Sequence, residues 1–221
     1  MKIRIDYEKE LRQTKLLVEQ AYSQKAAAYE HLQYIYEQIE LKQAQLVEMN
    51  KQLVEISNTD NLTGIANRRY FQGQLTRHVE SFRNQGQAFS LLIIDIDYFK
   101  HVNDTYGHPV GDLVLAQLGL ILKTLAREQD TVARFGGEEF VLLLGETDEM
   151  DAIEIAQQLN KTVEETIWPT IGRLTVSIGC TTFKADDTEG SVFEHADDAL
   201  YESKRSGRNR TTQYEAMRYV Q

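Results

Sequence analysis

Ala88-Phe89-Ser90-Leu91-Leu92-Ile93-Ile94-Asp95 is the most apolar run of the chain and predicts a buried β-strand. Helical and strand patterns alternate around it. Helices are predicted at 67–83, 110–125, 149–166 and 191–206, and strands at 131–135, 140–144 and 173–183, the last broken at Gly179, with an edge strand at 210–214. This order predicts a sheet with helices packed on it, in an α/β or α+β layer.

Residues 1–57 differ in character, because they contain neither glycine nor proline and are rich in helix-forming residues. Apolar residues recur at heptad spacing, which is typical of a coiled coil. The two apolar stripes form the predicted contact surface of the coiled coil, and Lys25 and Lys42 interrupt them. The two stripes are Leu11, Val18, Lys25, Leu32, Ile39, Leu46, Leu53 and Thr14, Ala21, Ala28, Ile35, Lys42, Met49, Ile56. A helix of about 85 Å cannot bury such a stripe alone, so a parallel homodimer is the simplest expectation.

A second heptad frame places tyrosines in the seam. Tyr22, Tyr29 and Tyr36 would then pack there, and Gln43 and Asn50 would carry a polar cost. We hypothesise two nearly balanced registers that could act as a switch. The alternative is one fixed register, with the tyrosines on a half-exposed flank of the helix.

Composition excludes several classes of protein. A formal net charge of −10 argues against a surface that binds nucleic acid. The single Cys180 excludes an internal disulfide framework, and no apolar run is long enough for a membrane segment. The first residues are too polar for a signal peptide, so we expect a cytoplasmic protein. Turn and cap residues at 57–60 predict a boundary between a helix at 1–57 and a domain at 58–221.

Two acidic clusters flank this predicted sheet. Asp95 and Asp97 follow the apolar strand and would share one side if the strand continued, where they could hold Mg²⁺. An Asx turn or a helix cap is the structural alternative. Gly136 and Gly137 predict a tight hairpin that needs a positive φ, followed by two glutamates on opposite faces. Only one of the glutamates is therefore expected to meet Asp95, and a solvated hairpin tip is the alternative.

Cations and amides complete a nucleotide-binding pattern. Lys204 and Arg208 lie at the end of the last predicted helix, where they could contact phosphate or simply stabilise the helix C-terminus. Asn103 and Asp112 offer the amide and carboxylate groups that can read guanine. The segment between them, 104–108, is predicted as a loop.

Together these motifs resemble the GGDEF family of diguanylate cyclases. The resemblance covers 60–210, about two-thirds of the chain. The matching blocks are Asp60-Asn61-Leu62-Thr63-Gly64-Ile65-Ala66-Asn67-Arg68-Arg69, Asp95-Ile96-Asp97-Tyr98-Phe99-Lys100, Asn103-Asp104-Thr105-Tyr106-Gly107-His108 with Gly111-Asp112, Arg134-Phe135-Gly136-Gly137-Glu138-Glu139-Phe140, and Ala196-Asp197-Asp198-Ala199-Leu200-Tyr201 with Lys204 and Gly207-Arg208-Asn209. The resemblance implies a ferredoxin-like, nucleotidyl-cyclase palm with a mostly antiparallel sheet.

The resemblance also implies roles for single residues. Asp95, the Ile96 carbonyl and Glu138 would hold Mg²⁺, with Mn²⁺ as the alternative ion, and Glu138 would be the general base. Lys100 would stabilise the transition state. Substrate GTP would be bound by Asn103, His108 and Asp112 at the base and by Tyr98, Phe99, Lys204 and Arg208 at the phosphates. The product would be cyclic di-GMP, with pyrophosphate released.

One domain of this family binds one GTP, so the resemblance implies a homodimer, held here through residues 1–57. An inhibitory site for the product is implied at Arg127 and Asp130, although Gln158 stands where a second arginine often assists. An upstream sensor domain or protein would supply the input. The rivals are a domain that binds nucleotide without turnover, a coiled-coil scaffold, and a purine cyclase that makes cyclic AMP.

Overall fold

The computed structural model describes residues 2–217 and, within them, the side chains of 10–50, 54, 57–215 and 217. Heptad positions Leu53 and Ile56 therefore lie outside the described side chains, and residues 218–221 lie outside the described chain. The structure divides into two compact units, Met1–Val54 and Glu55–Gln221.

Helix α1 runs without interruption over Lys2–Asn58, as the lack of glycine and proline predicts. Every described side chain between residues 10 and 50 is exposed, including the apolar heptad positions. Leu11 and Leu46, for example, are 62% and 65% exposed. A long apolar stripe left open to water is the feature that a partner helix covers in a coiled coil.

The second unit is built around a six-stranded sheet with the strand order β1-β3-β4-β2-β5-β6. Its elements are β1 (Ala66–Asn67), α2 (Arg68–Gln85), β2 (Phe89–Ile96), α3 (Phe99–Tyr106), α4 (His108–Leu125), β3 (Thr131–Gly136), β4 (Glu139–Gly145), α5 (Glu149–Glu165), β5 (Val176–Thr182), α6 (Glu189–Arg205), β6 (Arg210–Gln213) and α7 (Tyr214–Met217). The four inner strands pair antiparallel, and only β1 and β6 at the edges pair parallel. The predicted α+β fold with a mostly antiparallel sheet is confirmed.

Strand β2 lies at the centre of the sheet, and all eight of its residues are buried. On one face its side chains join a core with α4 and α5, in which Leu118 and Leu159 are almost fully buried. On the other face they join a core with α2 and α6, through Phe71 and Leu200. Burial on both faces explains why this strand is a continuous apolar run rather than an alternating one.

The prediction of a loop at 104–108 is wrong. Residues up to Tyr106 form the last turns of α3, and α4 begins at His108. Gly107 alone separates the two helices, and its φ of 84° explains how so short a junction reverses the chain. The one-residue junction places the start of α4 directly beside α3.

The predicted break at Gly179 is also wrong, because β5 continues through it. Gly179 is paired with Ile93 on one side and with Thr212 on the other. A Cβ at this position would lie 2.0 Å from the carbonyl oxygen of Ala196 and 2.3 Å from the amide nitrogen of Leu200. The glycine therefore marks the close approach of α6 to the sheet, not the end of a strand.

Candidate active site

The candidate site lies where the central strand ends. Asp95, the penultimate residue of β2, is paired with Glu139 on β4 and with Ser177 on β5. It is 6% exposed. Its Oδ2 atom lies 2.9 Å from the Nζ atom of Lys204, which the last turn of α6 brings to the sheet. The structure thus joins the first acidic cluster to the cation at the far end of the sequence.

Carboxylates crowd this end of the sheet. Burial raises the pKa of Asp95, and the charge of Asp97 adds to the rise, while Lys204 and Arg208 oppose it. Burial and then the charge of Asp95 raise the pKa of Glu138. The pKa of Glu139 is raised by the same two causes in the same order. The charge of Asp95 therefore acts on both glutamates, although the alternation of side chains predicted that only one of them would lie near it.

The donor set fits a hard divalent cation. Asp95 and Glu138 provide carboxylate oxygens, and the Ile96 carbonyl belongs to the same strand end. Within the described part of the chain, no group of three or more His, Cys, Asp or Glu side chains forms a ready cage. Mg²⁺ suits such a site, because it binds one or two carboxylates and completes its shell with water and substrate phosphates. Its positive charge would also lower the carboxyl pKa values, which burial and then neighbouring carboxylates raise.

The glycine turn between β3 and β4 is held in place by the side chain of Arg134, a residue of β3. Gly137 has a φ of 50°, as the sequence predicted for a tight hairpin. Its carbonyl oxygen accepts hydrogen bonds from Nε and Nη2 of Arg134, at 3.0 and 2.7 Å. Arg134 is in turn paired with Asp60, 3.3 Å away. Although burial opposes it, hydrogen bonds from Thr63 and the charge of Arg134 lower the pKa of Asp60.

Asp97 does not pair with Asp95 as a metal ligand, as the alternation had suggested. The strand ends at Ile96, and the carboxylate of Asp97 is committed to protein donors. Its Oδ2 accepts hydrogen bonds from Oγ1 of Thr175 at 2.7 Å and from the Asn209 amide at 3.0 Å. Its Oδ1 accepts one from Oγ of Ser177 at 2.7 Å. Alternation placed Asp97 beside Asp95 only if the strand continued, and β2 ends before Asp97.

The start of α3 suits an anion. Tyr98, at the N-cap position, adopts a left-handed conformation with a φ of 58°, and no side-chain cap is formed there. The first amides of a helix have no partner within it, and they carry the positive end of its dipole. Phe99 is buried in the core and anchors this turn, while Lys100 is exposed beside it. These positions are consistent with the predicted phosphate-binding roles, which stay predictions.

The guanidinium of Arg208 stacks on the ring of Tyr98. Its guanidinium carbon is 4.6 Å from the centre of the Tyr98 ring. Its Nη1 is 3.5 Å from the Tyr98 hydroxyl oxygen. The cation is thus stacked at the N-terminus of α3, where its charge also acts on Asp95.

The predicted base-binding residues meet at the junction of α3 and α4. Asn103 belongs to α3, while His108 and Asp112 lie exposed in the first turns of α4. A Cβ at Gly111 would stand 2.0 Å from Oδ1 of Asn103. The lack of a side chain at Gly111 therefore lets Asn103 pack against α4, next to Asp112.

Arg127 and Asp130 form a tight pair before β3. The Asp130 side chain is 2% exposed, and it accepts hydrogen bonds from Arg127 and from the amide of Gly145. Nη2 of Arg127 also reaches Oγ1 of Thr147 at 2.6 Å. A cavity of about 280 Å³ opens beside the pair, and Gln158 lines it. The structure brings the predicted inhibitory residues together, but Asp130 is occupied in holding Arg127.

Sequence reasoning missed two of these arrangements. The contact between Arg134 and Asp60 joins two distant motifs, and the only available signal was the Asp60 block itself. The anchoring role of Asp97 was hidden because its partners, Thr175 and Asn209, stand far along the chain. Neither arrangement has a local sequence pattern.

The fold and the site together define an α+β domain in which carboxylates and the Lys204 and Arg208 cations gather at the end of the central strand. The family model for the diguanylate cyclase GGDEF domain matches residues 57–210. The chain is 42% identical over 170 residues to diguanylate cyclase A of Treponema denticola, covering 74% of this chain and 46% of that protein. It is 40% identical over 162 residues to the response regulator PleD of Caulobacter vibrioides, covering 71% and 36%. The chain belongs to the GGDEF diguanylate cyclase family.

A solved structure extends the likeness to the N-terminal helix. The coiled coil and GGDEF domain of DgcB from Caulobacter crescentus, in complex with c-di-GMP, matches with a TM-score of 0.78 and 30% identity, covering 82% of this chain and 98% of that one. SiaD from Pseudomonas aeruginosa, in complex with its activator SiaC, matches with a TM-score of 0.71 and 31% identity, covering 96% and 82%. The chain spans less than half the length of the curated relatives it matches. None of the described helices meets the length and apolarity that crossing a membrane requires.

Proposed function

We propose that this chain is a diguanylate cyclase that condenses two GTP molecules into cyclic di-GMP and two pyrophosphates. One observation carries the proposal: the Asp95 carboxylate, the Glu138 carboxyl and the Lys204 ammonium meet at the end of the central strand. This arrangement supplies a metal site, a base and a phosphate-binding cation in one place. Membership of the GGDEF family and the names of its relatives support the same reaction.

The chemistry needs a base and an in-line geometry. The ribose 3′-hydroxyl of one GTP attacks the α-phosphate of the other, a new P–O bond forms, and the bond to the pyrophosphate leaving group breaks. Glu138 accepts the hydroxyl proton. Mg²⁺, or Mn²⁺ in its place, would be held by Asp95, the Ile96 carbonyl and Glu138 and would polarise the phosphates when bound.

The remaining residues orient the substrate. The free amides at the start of α3, together with Lys204 and Arg208, bind phosphate oxygens, and Lys100 stabilises the charge that develops during the transfer. At the other end of the substrate, Asn103 and Asp112 bind the guanine edge, beside His108. The packing of Asn103 against Gly111 supports this division, since it fixes the amide side chain against the turn of α4 that also carries Asp112.

Two domains must act together, because the described domain offers one such cluster and the reaction consumes two substrates. The two sites face each other across a two-fold axis. The open apolar stripe of α1 supports residues 1–57 as the dimerisation helix, which raises the effective concentration of the two halves. A choice between two coiled-coil registers would set their angle, as the tyrosine frame suggests.

Control by the product is part of the proposal. The cavity beside Arg127 supports an inhibitory site for cyclic di-GMP, with Arg127 as its phosphate ligand. Asp130 would bind the guanine edge only if it released part of its hold on Arg127. Gln158 in the same cavity favours weaker inhibition than a second arginine would give.

Input is expected to reach the chain from another domain or protein. The solved complex of SiaD with its activator SiaC supports an external partner, because that match includes the region of α1. GTP as substrate and a single buried Cys180 favour the cytoplasm as the location.

The proposal is tested by GTP turnover with Mg²⁺ and chromatography of the product. We expect cyclic di-GMP from the native chain and none from Glu138→Gln, which keeps the shape but cannot take a proton. Glu165→Gln, an exposed glutamate at the end of α5, is the matched control and should retain activity. Unchanged turnover by Glu138→Gln would refute the assigned base. Formation of cyclic AMP from ATP would favour the purine-cyclase rival, and nucleotide binding without turnover would favour the inactive-domain rival.

A further inference from the structure

The loop that carries Arg208 has an unusual backbone. Three successive residues, Gly207, Arg208 and Asn209, have positive φ values of 113°, 64° and 46°. Glycine adopts such angles freely, but for arginine the left-handed region is unfavourable, and it persists only where the surroundings hold it. The loop leads directly from α6 into β6. Something must therefore fix this turn.

The amide of Arg208 donates to the Ser203 carbonyl oxygen at 3.0 Å, and Asp97 restrains the next residue of the turn. Its side chain, 5% exposed, accepts a hydrogen bond from the Asn209 amide at 3.0 Å, one residue before β6 begins. Hydroxyl groups of Thr175 and Ser177 hold the same carboxylate at 2.7 Å each. Ser177 is also the residue that pairs with the start of β6 in the sheet. The carboxylate thus joins the end of β2, the start of β5 and the Arg208 loop.

The restraint has a consequence for the site. Tyr98, the residue after Asp97, is itself left-handed with a φ of 58°, and its ring carries the Arg208 guanidinium at 4.6 Å. Asp97 therefore fixes both members of this stack: Tyr98 through the chain and Arg208 through the Asn209 amide. The stack stands at the N-terminus of α3, beside Asp95.

We propose that Asp97 is a positioning residue, which holds the left-handed Arg208–Asn209 turn so that Arg208 is preset to bind the substrate's phosphates. The proposal rests on the proposed function, because it assigns Arg208 to GTP. Asp97 itself binds neither substrate nor metal. Its effect on substrate binding runs through Arg208, and this sets it apart from a residue that merely stabilises the fold.

A double-mutant cycle on the full chain tests this, with KM for GTP as the readout. Loss of one charge-assisted phosphate contact raises KM by about tenfold, so Arg208→Ala should show that rise. Asp97→Asn should show a similar rise, because its amide group repels one of the donors. The double variant should remain at about tenfold, because both changes remove one interaction. A rise to about a hundredfold, the product of the two effects, would overturn the proposal.

Asp187→Asn is the matched control, since Asp187 is another buried aspartate, 7% exposed, that accepts hydrogen bonds from Lys184 and Ser191. It should lower the melting temperature without raising KM. If Asp97→Asn matches Asp187→Asn in KM, the proposal fails.

Where Asp97→Asn does not fold, Thr175→Val carries the test, because it removes one donor and keeps the carboxylate. Its KM should rise by about threefold in the native background and not at all in Arg208→Ala. A rise of equal size in both backgrounds would refute the proposal. Failure of the native chain to form cyclic di-GMP would instead refute the proposed function, so the two failures are distinct.

Discussion

Gly179→Ala adds a single methyl group to β5. This group should push the sheet apart from α6, the helix that carries Lys204. An alanine Cβ would lie 2.0 Å from the Ala196 carbonyl oxygen, whereas an ordinary contact begins at 3.4 Å. Helix α6 must therefore move outward by about 1.4 Å. The atoms of α6 that the new Cβ would meet are backbone atoms, so no side chain can rotate away to make room. Overpacking of this kind costs about 3 kcal/mol, which lowers the melting temperature by about 6–12 °C.

The same displacement should impair catalysis. Lys204, in the last turn of α6, would leave its position 2.9 Å from Asp95. A misplacement of about 1 Å in a catalytic site costs on the order of a hundredfold in rate, so kcat/KM for GTP should fall by about that factor. Differential scanning calorimetry and initial-rate kinetics measure the two effects on one preparation.

Gly73→Ala is the matched control for this change. Gly73 lies exposed in α2, and a Cβ there meets no atom within 4 Å. The control should gain about 0.5–1 kcal/mol of stability, because alanine loses less chain entropy than glycine in a helix, and it should leave activity unchanged. If Gly179→Ala melts and turns over GTP like Gly73→Ala, the close approach of α6 is not a constraint and the reasoning is refuted.

Four further predictions concern the active site and the proposed inhibitory site. Lys204 lowers the pKa of Asp95 and of Glu138, so Lys204→Met should move the acidic limb of the pH–rate profile to higher pH. A limb that does not move would contradict this. In the absence of metal and substrate the folded state binds the protons of these two carboxyls, whose pKa values are raised, more tightly than the unfolded state, so calorimetry should show their contribution to stability increasing as pH falls through the raised values. Arg127→Ala should relieve inhibition by cyclic di-GMP, and an unaltered inhibition curve would exclude this site. Gly111→Ala should raise KM for GTP by displacing Asn103, whose Oδ1 occupies the position of the new methyl group, and an unchanged KM would separate Asn103 from base binding.

Local patterns predicted most of the fold. The strand at 88–95 was evident because burial on both faces demands an unbroken apolar run, and α1 was evident from its composition. The loop predicted at 104–108 was wrong because polar residues beside a glycine suggest a turn, whereas Gly107 makes the turn alone. Gly179 was misinterpreted for a related reason. The glycine is needed because α6 approaches the sheet closely there, and the contacting residues, Ala196 and Leu200, lie further along the chain.

The sequence predicted which residues form the site, but not how they are placed relative to one another. Motif spacing indicated which carboxylates and cations matter, and the structure brings Asp95 and Lys204 within 2.9 Å. Spacing could not show that the strand ends at Ile96, so it left open whether Asp97 would share one side of the strand with Asp95. Nor could it show that the Asp130 side chain is occupied with Arg127. Such assignments depend on contacts between distant elements, which no local period encodes.

The product formed from GTP and Mg²⁺ by the native chain, measured by chromatography across a range of protein concentrations, tests the central claim most directly. The account predicts cyclic di-GMP with two pyrophosphates released for each molecule, and a rate per chain that rises with concentration until the dimer is complete. GTP recovered intact at every concentration, or converted into a different cyclic nucleotide, would contradict it.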